Sequence, residues 1–139
     1  MAQRLREVMV PNPAMLSSSS SVTDAARCMK EQDIGDVLVL DDDRLCGVVT
    51  DRDIVVRSIA AGHDPGSTTL GEICSADLVG LSPDDTVDDA VRMMRERAVR
   101  RLPVVEAGRP VGIVSIGDLA IDRDPGSALA DISAAPPNQ

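Results

Sequence analysis

Two stretches of this 139-residue chain set a hydroxyl side chain three residues ahead of a carboxylate, directly after an apolar run. They are Gly47-Val-Val-Thr50-Asp-Arg-Asp53 and Gly112-Ile-Val-Ser115-Ile-Gly-Asp118. Where the run is a strand and the polar residues open a helix, unpaired helix amides point outward beside the hydroxyl, which makes an anion site. The carboxylate one turn further in accepts hydrogen bonds and suits a pair of ribose hydroxyls. An aliphatic wall beside it would take a flat base by dispersion and desolvation. The same Thr/Ser-x-x-Asp spacing is also a capping box, which satisfies the first helix amides with no ligand at all. The two uses are compatible, and the spacing leaves both open.

Charge separates the two stretches. Arg100 and Arg101 lie where the chain enters the second β-rich region, while Gly35 and Asp36 hold the matching positions in the first. Two arginines favour a phosphate and an acid repels it, so nucleotide is expected to bind more tightly beside Ser115 and Asp118 than beside Thr50 and Asp53. Arg100 and Arg101 read equally well as surface residues. Other constellations fall away. His63 is the only histidine and sits in the linker Gly62-His-Asp-Pro-Gly66. The three cysteines are scattered, so no metal-ligand spacing exists. Cys28 and Cys46 lie in apolar-patterned segments and are expected as buried small hydrophobes, with Cys74 near a loop. No serine has a base to serve it, and no Gly-x-x-x-x-Gly-Lys phosphate loop occurs. No residue set supplies a nucleophile with a base or a metal, so the chain does not read as an enzyme, and no cofactor is required.

Bulk properties narrow the partners. The chain carries a formal charge of −9 and has no Phe, Tyr or Trp. Nucleic-acid platforms rely on a basic face and on aromatic stacking, and both are missing. The acidic balance also disfavours an anionic membrane surface. No segment approaches the roughly 20 apolar residues of a membrane span. Near the N-terminus, Arg4, Arg6 and Glu7 are followed by Pro11 and Pro13, which is not the pattern of a leader. The expected location is the cytoplasm.

The elements that must position these residues are written twice. A shift of 65 residues lays Leu5–Val56 over Leu70–Ile121 without a gap, and 15 of the 52 pairs are identical. Ser21-Val-Thr-Asp24 and Thr86-Val-Asp-Asp89 signal capped helix starts, with Ala25/Met29 and Ala90/Met94 at i, i+4 spacing. Two pairs of β-rich runs follow, Val37–Leu40 with Leu45–Thr50 and Leu102–Glu106 with Pro110–Ser115, and each pair reads as a hairpin. A closing helix is expected over Asp51–Ala61 and Ile116–Arg123. Each copy thus runs strand, helix, strand, strand, helix.

This tandem unit, with its two Gly-h-h-(Thr/Ser)-x-x-Asp heptapeptides and Val99-Arg-Arg-Leu-Pro-Val104, resembles the cystathionine-β-synthase (CBS) domain pair, or Bateman module. It is similar in particular to stand-alone CBS pairs of actinobacteria. The resemblance implies an α/β (α+β) fold of two β-α-β-β-α repeats packed with pseudo-two-fold symmetry. Repeat 1 would cover residues 1–64 and repeat 2 residues 65–124, with a mobile tail over 125–139. It also implies that Thr50 and Ser115 contact phosphate and that Asp53 and Asp118 hold ribose. Adenine would lie between aliphatic side chains, and Arg100 and Arg101 would reach phosphate, sometimes that of the opposite repeat's site. The implied function is a regulatory sensor of an adenine nucleotide such as AMP, ADP or ATP, acting through a separate effector protein. The alternative is a structural or interaction protein of the same fold that binds no nucleotide. Family pairs dock through their helices, so a homodimer is expected, with Ile54, Val55 and Ile59 as exposed contact positions.

Overall fold

Capped helices and tight hairpins organise the structure much as the sequence pattern predicts. The computed structural model describes residues 3–74, 80–123 and 126–135. In chain order it contains α1 (Leu5–Val8), β1 (Val10–Pro11), β2 (Met15–Ser17), α2 (Val22–Gln32), β3 (Asp36–Asp41) and β4 (Arg44–Thr50). One helical turn, α3 (Asp51–Asp53), continues as a π-helix (Ile54–Ile59). Then come α4 (Leu70–Ile73), α5 (Val87–Arg97), β5 (Arg101–Glu106), β6 (Arg109–Ser115), α6 (Ile116–Arg123) and α7 (Ala128–Ala134).

The chain divides into a first unit, Pro13–Leu78, and a second unit made of Met1–Asn12 with Val79–Gln139. These units cross the sequence repeats. Helix α1, written in the first copy, belongs to the second unit, and α4, written in the second copy, belongs to the first. Backbone hydrogen bonds fix each exchange: Leu5 N–H donates to Asp85 O at 2.9 Å and Val87 N–H to Gln3 O at 3.0 Å. In the first unit Leu70 N–H donates to Ser20 O at 2.8 Å and Val22 N–H to Thr68 O at 3.0 Å. Leu5 and Leu70 are each fully buried, plugging equivalent places in the two cores.

Those cores are built from the same repeat positions. Val22, Ala25, Met29, Val39, Val49 and Ile54 in the first unit correspond to Val87, Ala90, Met94, Val104, Val114 and Leu119 in the second. The first unit carries the sheet β2-β3-β4, parallel between β2 and β3 and antiparallel between β3 and β4. The second carries β1-β6-β5, antiparallel throughout, and its counterpart of β2 shrinks to one parallel bridge, Leu81 to Val104. Both hairpins close through two residues with positive φ, Asp42–Asp43 and Ala107–Gly108, the primed turn whose twist suits a hairpin. Gly112 is needed for close approach. A Cβ there would lie 2.9 Å from Met9 Cγ and 3.1 Å from Val10 O, where β1 runs beside β6.

Three details depart from the expected picture. The helix after Thr50 changes register: Ala60 N–H donates to Val55 O at 2.8 Å, and His63 N–H to Ser58 O at 2.9 Å, both five residues back. The run Ile54-Val-Val56 crowds an α-helix at χ1, and the wider π turn packs against α2 and α4. Ile54 was expected outside and is instead part of the core, while Val55, Val56 and Ile59 are exposed. Within the C-terminal region expected as a mobile tail, Ala128–Ala134 forms α7, capped by Ser127 and packed on α6. Asp124, at the expected end of repeat 2, and the tail positions Pro125 and 136–139 lie outside the described residues.

Candidate functional site

Each Thr/Ser-x-x-Asp stretch forms the turn from a hairpin's second strand into a helix. In the second unit Ser115 Oγ accepts the Asp118 N–H at 3.1 Å, and Asp118 Oδ2 accepts the Ser115 N–H at 2.9 Å. In the first unit Thr50 Oγ1 accepts the Asp53 N–H at 3.1 Å, and Asp53 Oδ2 accepts the Thr50 N–H at 2.9 Å. Both stretches are therefore complete capping boxes, as the spacing allowed. Chemistry remains for a ligand. A hydroxyl that accepts a bond still has its own hydrogen to donate, and each carboxylate has a second oxygen. Asp53 Oδ1 faces Arg57 Nε at 3.7 Å.

The sheet register then places the charged residues. Arg101 lies opposite Ser115 across β5 and β6, and the Arg100 carbonyl accepts the Ile116 N–H at 2.8 Å. Ser115, Asp118, Arg100 and Arg101 thus come together at one end of the second unit's sheet, with both arginines exposed. The same register in the first unit sets Asp36 opposite Thr50, and the Gly35 carbonyl accepts the Asp51 N–H at 3.0 Å. The two ends are alike in backbone and opposite in charge.

Sequence reasoning missed Asp51. Its Oδ1 accepts the Arg52 N–H at 2.8 Å, so the helix amide that an anion would take is already occupied by the chain's own carboxylate. A Cβ at Gly35 would lie 3.3 Å from Asp51 Oδ2, which places this carboxylate over the start of β3. The matching pair in the second unit is Ile116 and Gly117. Ile116 has no polar side chain to occupy the Gly117 amide as Asp51 occupies that of Arg52. The signal was legible in the aligned repeats, where Asp51 faces Ile116, but its meaning depends on which amides are free.

The other candidates are placed as follows. His63 is exposed in the linker after the π-helix. Cys28, Cys46 and Cys74 are free thiols, half-buried against the first unit's core. Among the described residues no group of three or more His, Cys, Asp or Glu side chains is placed to hold a metal ion. No helix among them is long and apolar enough to cross a membrane. An apolar groove of about 430 Å³ opens on the second unit between α5, α6 and α7, lined by Val91, Met94, Val99, Ile116, Leu119 and Leu129. Neither Ser115 nor Asp118 lines it.

Comparison with known proteins agrees with this geometry. The family model of the CBS domain matches twice, over residues 5–59 and 70–121. The CBS domain-containing protein YhcV of Bacillus subtilis is 37% identical over 133 residues, 93% of this chain and 94% of that protein. Hypoxic response protein 1 of Mycobacterium tuberculosis is 38% identical over 116 residues, 83% of this chain and 81% of its own length. A crystal structure of Hypoxic Response Protein I with two coordinated zinc ions superposes with a TM-score of 0.78 at 37% identity, covering 85% of this chain and 97% of that one. The CBS domain pair of MJ0100, in complex with 5′-methylthioadenosine and S-adenosyl-L-methionine, shares the fold with a TM-score of 0.77 at 24% identity, over 86% and 94% of the two chains. Two capped strand-to-helix turns in two β-α-β-β-α units, matched twice by one family model, establish that this chain belongs to the CBS domain family as a tandem CBS pair, a regulatory and non-catalytic module.

Proposed function

We propose that this CBS pair is a sensor of an adenine nucleotide, and that its anion-binding end is the Ser115 turn of the second unit. The observation that carries the reading is the Ser115 hydroxyl at the start of α6, set by the β5–β6 register next to Arg100 and Arg101. A phosphate oxygen suits a helix N-terminus, and two guanidinium groups beside it add charge-assisted contacts. In this reading Ser115, Gly117, Arg100 and Arg101 hold phosphate while the second oxygen of Asp118 takes ribose hydroxyls. Thr50 and Asp53 form a weaker counterpart, because Asp51 fills its amide and Asp36 adds negative charge. MJ0100 offers a precedent at the level of the fold, since its CBS pair holds adenosyl compounds. A ligand that prefers one arrangement of the module shifts it by the difference in affinity, and a separate effector protein reads the outcome. The working form is a homodimer joined through helices.

The test begins with the purified protein's ultraviolet spectrum. A chain without Tyr or Trp absorbs almost nothing at 280 nm, so a copurified nucleotide stands out near 260 nm. Calorimetric titration with AMP and ATP follows. Asp118→Ala is expected to remove most binding and Asp53→Ala little of it. A charge-assisted phosphate contact is worth about 1.5–3 kcal/mol, or on the order of ten-fold or more in affinity. Asp51→Ala is expected to strengthen any weak second binding event by freeing the Arg52 amide. Loss of binding in Asp53→Ala with Asp118→Ala intact would reverse the site assignment. If no form of the protein takes nucleotide, the chain is an interaction protein whose capping boxes serve the fold alone.

A further inference from the structure

Helix α7 gives the second unit a feature that the repeat itself does not write. The match to the CBS domain runs to residue 121, and Ala128–Ala134 lies beyond it. Ser127 Oγ accepts the Ala130 N–H at 3.0 Å at the start of this helix, and Ala130 is buried. Leu129 then supplies the third wall of the groove of about 430 Å³ between α5, α6 and α7. The first unit is built differently at the matching place. There the residue aligned with Ile116 is Asp51, and turns follow the π-helix where α7 follows α6.

The lining of the groove is aliphatic apart from two arginines. Arg95 stands on α5 and Arg123 at the end of α6, both exposed, and Arg123 is held by an ion pair with Asp88. A concave apolar surface with a few convergent polar groups is the ordinary form of a small-molecule site. An apolar lining with a guanidinium at its side fits an amphiphile, a hydrocarbon tail that ends in an anion. We propose that this groove binds a single-chain acyl carboxylate, its tail along Val99, Ile116 and Leu129 and its carboxylate on Arg95.

Tail binding removes these aliphatic side chains from water, and a guanidinium meets a carboxylate through two parallel N–H···O bonds. The occupant is free in solution and not part of a bilayer, because a chain of charge −9 is repelled by an anionic membrane surface. Neither Ser115 nor Asp118 lines the groove, so the proposal is independent of nucleotide binding. Ile116 and Leu129 are also exposed apolar positions that a second copy would cover. Acyl chain and second copy therefore compete, and the ligand shifts the balance toward monomer by mass action.

Dodecanoate labelled with carbon-13 at its carboxyl, kept below its micelle concentration, is the probe for the full-length protein. Its carboxyl resonance is expected to shift and to saturate at one equivalent per chain. Dodecanol, with the same tail and no charge, should bind about ten-fold more weakly or worse, and Arg95→Glu should impose a similar loss on dodecanoate. Leu129→Gln should weaken binding several-fold, while Ile132→Gln, on the outer side of α7, should leave it unchanged. Equal binding of dodecanol and dodecanoate on the parent protein would overturn the proposal, as would indifference to both Arg95→Glu and Leu129→Gln. Cosedimentation with phosphatidylglycerol vesicles without uptake of dodecanoate would also sink it. If light scattering shows an unbroken dimer that takes up no dodecanoate at any protein concentration, the groove is a subunit contact and the proposal falls.

Discussion

Several carboxylates in this chain serve the backbone, and their titration should report it. Asp89 Oδ2 accepts the Thr86 N–H at 3.0 Å, and Asp89 N–H donates to Thr86 Oγ1 at 3.1 Å. These bonds to Thr86, with Arg92 beside them, hold the Asp89 carboxyl below its ordinary range. The Arg6 guanidinium does the same for Asp84 and ties the N-terminal segment to the turn before α5. A carboxyl whose pKa is depressed in the folded state binds protons more readily when unfolded. Its contribution is complete above about pH 4 and is lost as the pH falls through the lower folded-state value. Carbon-13 titration should place the Asp84 and Asp89 carboxyls below the ordinary aspartate range. Asp84→Asn and Asp89→Asn should each flatten the acid limb of the stability curve, and unchanged limbs would disprove the assignment. At this scale the hydroxyl–carboxylate pairs were legible in the sequence because a capping box is complete within four residues. The role of Asp51 was not, since it rests on a carboxylate bonding its neighbour's amide while Gly35 leaves room above the strand.

Among the elements, α2 and α5 end alike, with Asp33 and Ala98 in the left-handed region at φ 55° and 54°. Ala98 has no side chain to offset that conformation, which costs an L-residue roughly 1–2 kcal/mol and glycine almost nothing. Ala98→Gly is therefore expected to stabilise the second unit by about 1 kcal/mol, and Thr86→Ala to destabilise it by about 1 kcal/mol through loss of the N-cap. Urea unfolding followed by far-ultraviolet circular dichroism checks both signs. The hairpins were readable because polar or glycine-bearing turns separate apolar runs. The π-helix was not, because Ile54-Val-Val-Arg-Ser-Ile59 looks amphipathic at helical spacing while its register answers to α2 and α4. That register also buries the Ser58 hydroxyl with no hydrogen-bond partner. Helix α7 escaped notice because it is only seven residues long, with Leu129 and Ile132 as its large apolar residues, and packing on α6 gives it a core to join.

At the scale of the whole molecule, aliphatic surface is left uncovered on helices of both units. Val55, Val56 and Ile59 are exposed on the π-helix, and Ile116, Ile121 and Leu129 on α6 and α7. A second copy is the occupant we expect, so light scattering should give a dimer mass at micromolar concentration, and Val55→Asp with Ile121→Asp should give monomer. The doubled fold was legible because the copies align without a gap, but the exchange of α1 and α4 was not. Both copies present the same leucine at the same place, and an alignment cannot say which leucine fills which core. That exchange imposes an order on biosynthesis. The partners of α4, Ser18 and Ser20, are translated before it, so the first unit can close as soon as α4 clears the ribosome. The partners of α1, Asp85 and Val87, are translated long after it, as is Gly112 beneath Met9. The earliest residues must wait, with Leu5 unburied, for the latest. A nascent chain arrested once Leu78 has emerged should resist limited proteolysis over the first unit yet be cleaved at Arg4 and Arg6, and release of the full chain should extinguish those two cuts.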